Sequence, residues 1–339
     1  MAESPYQWLT CLGRGSTGEV WAATRGNNPI AVKVLTDVSP QSPHAEAIQR
    51  EVKIGRLIAG HPGVVAITKV DQYDGVLHLE MDWVHGPNLE QLLGGRLDAN
   101  KGPIPPSIAA EWMIQTLETL AWAARVVAPH KPGSFVHRDI KPANMLVDRK
   151  GRIRLSDFGM ARANADLGFQ TTEDGTVKGT PRFMAPELLM DADVDARADQ
   201  FSVGAILYEL VTGNPIYDGE NLADVLALVV QANVTKQLAA LNQWPRLQGV
   251  VERLVAKSPD HRYLDHGAAI SALKNLELTT PSLPDLLHEL LSDARQPDQS
   301  HDMGGPLLRV APRPVLTALH HDLFNEETDE PIPPSLPTM

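Results

Sequence analysis

The residues best suited to chemistry lie between Phe135 and Gly159, FVHRDIKPANMLVDRKGRIRLSDFG, where carboxylates, an amide and a lysine fall at short fixed spacings. Phosphoryl transfer is the reaction such a set fits. It needs an acceptor for a hydroxyl proton, hard oxygen ligands for Mg²⁺ on nucleotide phosphates, and positive charge where negative charge develops. Asp139 offers the first, Asn144 and Asp157 offer the oxygens, and Lys141 brings its charge two residues after Asp139.

These residues resemble the eukaryotic-type (Hanks-type) serine/threonine protein kinases, in the compact form of soluble bacterial members. HRDIKPAN matches that family's catalytic loop, and DFG begins thirteen residues after Asn144, across an MLVD, turn, RIRLS hairpin pattern. The resemblance implies an α+β fold of two lobes over residues 5–278. A small antiparallel sheet with one helix would occupy about 5–84, and a larger, mainly helical lobe about 85–278. In the implied roles Asp139 orients the substrate hydroxyl, Lys141 stabilises the group in transfer, and Asn144 and Asp157 hold Mg²⁺, with Mn²⁺ as the alternative. His137 would pack on the DFG phenylalanine rather than act as a base, and Arg138 marks the subclass whose loop is held by a phosphate.

The elements that position this set begin with WLTCLGRGSTGEVWAATRGNNPIAVKV, two or three strands around a glycine-rich turn. Gly13, Gly15 and Gly18 remove the Cβ atoms that would keep backbone N–H groups from a triphosphate, and Val20 would pack on adenine. Such a turn alone also fits dinucleotide-binding loops. However, EVWAAT alternates like a strand, and Lys33 follows thirteen residues after Val20 in IAVKV. By resemblance the nucleotide contacts are Leu12, Gly13, Arg14, Gly15, Ser16, Thr17, Gly18, Glu19, Val20, Ala31, Lys33, Met81, Asp82, Val84 and Leu146. Lys33 would reach the α and β phosphates, although a solvated lysine is the plain alternative. Its carboxylate partner is expected at Glu51, with Glu46 the second choice, on a helix whose Ile48, Val52, Ile54 and Leu57 form a buried stripe. Gly55, four residues after Glu51, is expected to leave a space beside Phe158, so that inward seating of the helix depends on a partner or on phosphorylation. Two further strands meet at Asp74-Gly75, and Asp82 to Val84 form the implied hinge.

The second lobe opens with GPNLEQLL and a long helix expected to be capped near Ser107 and ended by Pro129. In GTPRFMAPE, Thr180 would bond Asp139 and Lys141, and Glu187 would pair with Arg262 as a buried anchor. That segment resembles protein kinases rather than small-molecule kinases. Asp199 would cap the catalytic-loop backbone from a helix whose Phe201, Ala205, Tyr208 and Leu210 face the core. Thr171, Thr172 and Thr176 are candidate autophosphorylation sites; taken singly, each also reads as a loop hydroxyl.

The composition sets the bounds. Hydrophobic residues at 43% and charged residues at 21% suit a soluble globular enzyme, and the lone Cys11 excludes an intramolecular disulfide. A net charge of -12 argues against nucleic-acid binding. No stretch reads as a membrane span, so the chain is expected in the cytoplasm with ATP as cosubstrate and Ser/Thr-bearing proteins as substrates. From Thr279 to Met339 there are ten Pro and ten Asp/Glu against three Arg. This acidic tail is expected to be largely extended or disordered, with SLPDLLHELLSD as one amphipathic helix, and to serve either as a docking segment for a partner or as a solvating tail. A scaffold that keeps the fold without catalysis is the rival reading. It is disfavoured because the Lys, Asp, Asn and Asp positions are all present.

Overall fold

The computed structural model describes residues 5–15, 18–35, 52–73, 76–129, 135–158, 170–171, 177–178, 181–190, 193–278 and 283–294. The chain divides into two units, Met1–Trp83 and Val84–Gln296. Each has its own core.

The first unit is a five-stranded antiparallel sheet of order β1-β2-β3-β5-β4. Its strands are β1 (Gln7–Gly15), β2 (Gly18–Arg25), β3 (Asn28–Leu35), β4 (Ile67–Tyr73) and β5 (Val76–Met81). Because side chains alternate along a strand, the sheet has two distinct faces. One carries Trp21, Ala23, Val32 and Val34, packed with Tyr6, Cys11 and Val76 as the apolar core of that side. The register Val20↔Lys33↔Leu79 and Ala22↔Ala31↔Met81 lines up the other face. The β4–β5 pairing closes at Tyr73↔Val76, as a hairpin requires; Asp74 and Gly75 themselves lie outside the described residues.

Helix α1 is described over residues 52–57, and one expectation for it, the buried place of Leu57, fails. Val52 and Ile54 are buried, but Leu57 is 37% exposed, and Ile58, one residue on, turns inward instead. Ile48 lies outside the described residues. Gly55 leaves no space, because a methyl group built on it would sit 2.8 Å from Ile67 Cδ1. Ile67, a β-branched residue of β4, takes the room that Gly55 gives up.

The second unit is mainly helical. Helix α2 (Leu89–Asp98) starts at a capping box in which the Asn88 side chain accepts from Gln91 N at 2.8 Å while Gln91 Oε1 accepts from Asn88 N at 3.0 Å. Helix α3 (Pro106–Val127) begins differently from expectation. Pro105 occupies the cap position, no side chain caps the helix, and the Ser107 hydroxyl is buried without a hydrogen-bond partner. Proline suits that start, since its missing N–H is one the helix could not have bonded. A two-stranded hairpin, β6 (Met145–Val147) with β7 (Ile153–Leu155), then carries the chain past the catalytic loop. The short pair β8 (Gln170–Thr171) and β9 (Val177–Lys178) and the short helix α4 (Pro186–Leu189) come next.

Helix α5 (Arg197–Thr212) is buried on every side from Ala198 to Leu207. Phe201, Ala205, Tyr208 and Leu210 are buried as their spacing predicts, and Val203 to Leu207 is core helix. Gly204 allows α8 to come close, since a methyl group there would meet Leu254 Cβ at 2.6 Å. Around α5 stand α6 (Leu222–Gln231), α7 (Thr235–Leu238), α8 (Pro245–Leu254) and α9 (His266–Lys274). The amphipathic helix foreseen in the acidic tail is present as α10 (Leu283–Asp293) and packs on α2, with Leu283 and Leu290 buried. Packed structure therefore continues past residue 278. Among the described residues no helix is long and apolar enough to cross a membrane.

Candidate active site

The catalytic loop is a web of short polar contacts built from neighbours in sequence. Lys141 Nζ donates to Asp139 Oδ2 at 2.8 Å and to Oδ1 at 3.1 Å. Asn144 Nδ2 donates to the same carboxylate at 2.9 Å and to the Asp139 carbonyl at 3.0 Å. With its nitrogen so engaged, the Asn144 amide has its oxygen left for a cation. The turn Pro142–Asn144 holds these groups together, its Asn144 N–H donating to the Lys141 carbonyl at 3.0 Å.

The loop backbone is strained and anchored. Arg138 has φ 67° and Asp157 φ 59°, the left-handed region that side chains with a Cβ rarely adopt. Asp199, 1% exposed on α5, fixes the first of these: its Oδ2 accepts from His137 N at 2.9 Å and its Oδ1 from Arg138 N at 3.0 Å. Burial pushes the Asp199 carboxyl up to about 6, and the two backbone N–H groups pull against that. The sequence-based role for Asp199 is thus met atom by atom. Burial likewise pushes the fully buried His137 down to about 4. Its ring lies edge-on to Phe158 with centroids 4.8 Å apart, a packing role and not that of a base.

The hairpin fixes both members of the candidate metal-ligand pair. Asn144 immediately precedes β6 and Asp157 follows β7 by two residues; Ser156 N donates to Asn144 O at 3.0 Å, joining the strand ends. The far turn is held by Asp148, whose Oδ1 accepts from Lys150 N at 2.8 Å and Arg152 N at 3.0 Å, and by Trp112 Nε1 donating to Gly151 O at 2.9 Å. Neither Asp148 nor Trp112 stands out in the sequence reading. The string Asp-Arg-Lys-Gly is the turn signal that could have found the first. Two hard oxygens, from Asn144 and Asp157, suit a divalent cation that draws its remaining ligands from phosphate and water.

The first unit brings Val20, Ala31, Lys33 and Met81 onto one sheet face by register. Lys33 is 8% exposed there, beside the buried Ala31 and Met81. At the glycine-rich turn, Gly18 has φ 150°, and a methyl group on it would run into the Val34 carbonyl oxygen, so only glycine fits. Gly13 has open space where a Cβ would be. Glu19 has a structural use: its carboxylate meets Arg14 at 3.1 Å and Trp21 Nε1 at 3.0 Å. Leu12 and Gly15 lie on β1, Asp82 donates its N–H to Ala66 O at 3.0 Å, and Val84 and Leu146 belong to the second unit. Ser16, Thr17, Glu46, Glu51, Gly159, Thr172, Thr176 and Thr180 lie outside the described residues, and Thr171 is described only as part of β8.

Glu187 and Arg262 form the foreseen anchor, fork to fork, with Nη1–Oε1 2.6 Å and Nη2–Oε2 2.9 Å. One neighbour of this anchor is absent from the sequence reading: Ser202 Oγ donates to Phe183 O at 2.7 Å and ties the turn Pro181–Phe183 to α5.

The family model described as "Protein kinase domain" matches residues 6–296. A probable serine/threonine-protein kinase of Streptomyces coelicolor is 33% identical over 270 residues, covering 76% of this chain and 38% of that protein. The serine/threonine-protein kinase PknH of Mycobacterium tuberculosis is 33% identical over 340 residues, covering 99% of this chain and 47% of the relative. The chain thus spans less than half the length of these curated relatives. A crystal structure of the PknI kinase domain of Mycobacterium tuberculosis, in a mutant form, superposes with a TM-score of 0.59 at 24% identity, covering 81% of this chain and 97% of that one. That likeness is one of fold.

Proposed function

From the premise that this chain belongs to the protein kinase family, we propose that it transfers the γ-phosphoryl group of Mg·ATP to Ser/Thr hydroxyls of proteins. The carrying observation is the Asp139 carboxylate, held at once by Lys141 Nζ and Asn144 Nδ2 at 2.8 and 2.9 Å in a loop anchored on Asp199. Asp139 orients the acceptor hydroxyl and takes its proton as the hydroxyl oxygen bonds to the γ-phosphorus and the bond from that phosphorus to the bridging oxygen breaks, releasing ADP. Lys141 sets a positive charge beside that carboxylate, where negative charge moves outward during transfer. The Asn144 oxygen and the Asp157 carboxylate hold the divalent cation, Mg²⁺ by preference for hard oxygens and Mn²⁺ as the substitute. When bound, that cation neutralises phosphate charge and fixes its geometry. By the family resemblance Lys33 is assigned to the α and β phosphates with Glu51 as its carboxylate partner, and Val20, Ala31, Met81, Val84 and Leu146 are assigned to adenine.

Ser/Thr specificity is supported by Lys141 in the loop, by the Gly-Thr preceding Pro181, and by the names of the two curated relatives. Autophosphorylation is proposed at Thr171, Thr172 or Thr176, as candidate donors of the phosphate that the Arg138 subclass uses. The kinase unit is taken to run to about residue 296, where the family match ends, and to work in the cytoplasm, where ATP is supplied. The test is transfer of labelled phosphate from ATP by the purified chain with Mg²⁺ or Mn²⁺, followed by phosphopeptide mapping beside Asp139→Asn. Labelled Ser or Thr in wild type alone is the expected result. No product with either metal, or label only on small molecules, would sink the reading.

A further inference from the structure

Helix α10 lies on the hairpin that spaces the two metal-ligand residues. Gly151 sits at the far turn of that hairpin with φ 76°, and a methyl group on it would lie 2.7 Å from Leu283 Cδ2 and 3.2 Å from Leu287 Cδ1. The apolar face of α10 therefore closes directly over the turn. Its other end is held by charge. Arg96 on α2, 6% exposed, meets Glu289 at 3.2 Å and Asp293 at 3.1 Å, and Lys101 meets Asp293 at 2.6 Å. Helix α2 is itself joined to the hairpin, since Val147 N donates to Pro87 O at 2.8 Å and Asn88 bridges to Leu146. Trp112 holds the same turn from α3 through Gly151 O. The hairpin is thus held at its tip by α10 and α3 and along β6 by the residues before α2, and α10 is the grip that comes last in the chain.

We propose that α10 is a positioning brace: by pressing Leu283 and Leu287 on Gly151 and pinning Asp293 to Arg96 and Lys101, it fixes the hairpin whose ends space Asn144 and Asp157. The metal-related half of this proposal rests on the function proposed above; the mechanical half does not. Support of this indirect kind acts by holding ligands in register, and its loss typically costs about 10–100-fold in metal affinity or activity. A brace pinned partly by ion pairs also loosens with salt, because the Glu289 side is 44% exposed and screened.

The test uses the full chain with Leu287→Ala, which trims the contact on Gly151, and Asp293→Asn, which weakens the charged pin, beside Leu287→Met as the conservative control. Amide hydrogen exchange without nucleotide is read first. Faster exchange over Met145–Leu155 in both variants, with Arg197–Thr212 unchanged and Leu287→Met like wild type, is expected. Mg²⁺ titration of ADP binding is read second, and the half-saturating Mg²⁺ should rise about tenfold in Leu287→Ala. If exchange quickens only in α10, or evenly across the unit, the helix is mere packing and the proposal is overturned. If the hairpin responds but wild type binds no Mg·ADP, the brace stands and the proposed function fails.

Discussion

Asp139 and Glu187 are two carboxylates of one unit, each bonded to a cation, and their settings differ in access. The Asp139 side chain keeps 17% of its surface exposed and Lys141 keeps 27%, so a third group can approach the pair. Glu187 keeps 5% and Arg262 none. Besides Glu187, Arg262 donates to the carbonyls of Ala256 at 2.9 Å, Arg197 at 2.9 Å and Lys257 at 3.2 Å, which uses all five of its N–H groups. One pair is finished and the other is left open. A closed pair holds the fold together, whereas an open pair is available for chemistry.

The comparison can be broken by two substitutions that should fail in opposite ways. Asp139→Asn keeps the shape but removes the proton acceptor, so phosphoryl transfer should fall about 10²–10⁴-fold while the thermal midpoint stays near wild type. Equal losses in both measurements would mean that Asp139 is structural. Arg262→Met strands Glu187 in a dry site, and the destabilisation expected in urea unfolding is about 3–5 kcal/mol. A variant with native stability and no activity would place Arg262 in the chemistry instead.

How far each set was legible in the sequence follows from chain distance. Asp139, Lys141 and Asn144 lie within six residues, so a motif contains the whole web, and the structure supplies only the distances. Asp199 and Arg262 were legible because the resemblance carried them. What stayed hidden depends on partners that the local pattern does not name. Ser107 looks like a cap, but Pro105 and Pro106 set the start of α3 and leave that hydroxyl buried. Leu57 fits a helical stripe, but Ile58 takes the inward place. The Pro-rich, acidic composition after residue 278 reads as tail, yet Arg96, nearly two hundred residues earlier, holds α10 on the unit, |i−j| being 193 to Glu289.

A smaller effect sharpens the contrast, because the catalytic loop and the first turn of α9 each bury a histidine. Burial pushes His137 and His266 down to about 4, whereas an unfolded chain binds those protons near 6.5. Both folded-state values are depressed, so this part of the stability is whole above about pH 6.5 and drains as pH falls toward 4. Each histidine should contribute up to about 3 kcal/mol of acid sensitivity. His266→Gln should lower the slope of unfolding free energy against pH between 6 and 4.5 by up to about 1.4 kcal/mol per pH unit, one proton's worth. An unchanged slope would mean that His266 is already protonated in the fold.

Gly55 offers the mildest test, and it concerns packing against Ile67. A hole beside Gly55 would accept leucine at little cost, and the helix would gain about 1 kcal/mol in propensity over glycine. The structure argues the reverse, since Ile67 Cδ1 and Cγ1 lie 2.8 and 3.3 Å from where a Cβ would be. Gly55→Leu should therefore destabilise by about 1–3 kcal/mol through overpacking. Ile67→Ala alone should also destabilise, but the double variant should be more stable than the sum of the two losses predicts, because the new leucine enters the volume that Ile67 vacates. Denaturant unfolding of the four proteins gives that coupling directly. Strict additivity would show that Ile67 is not what occupies the place, and would restore the empty pocket that the sequence pattern suggests.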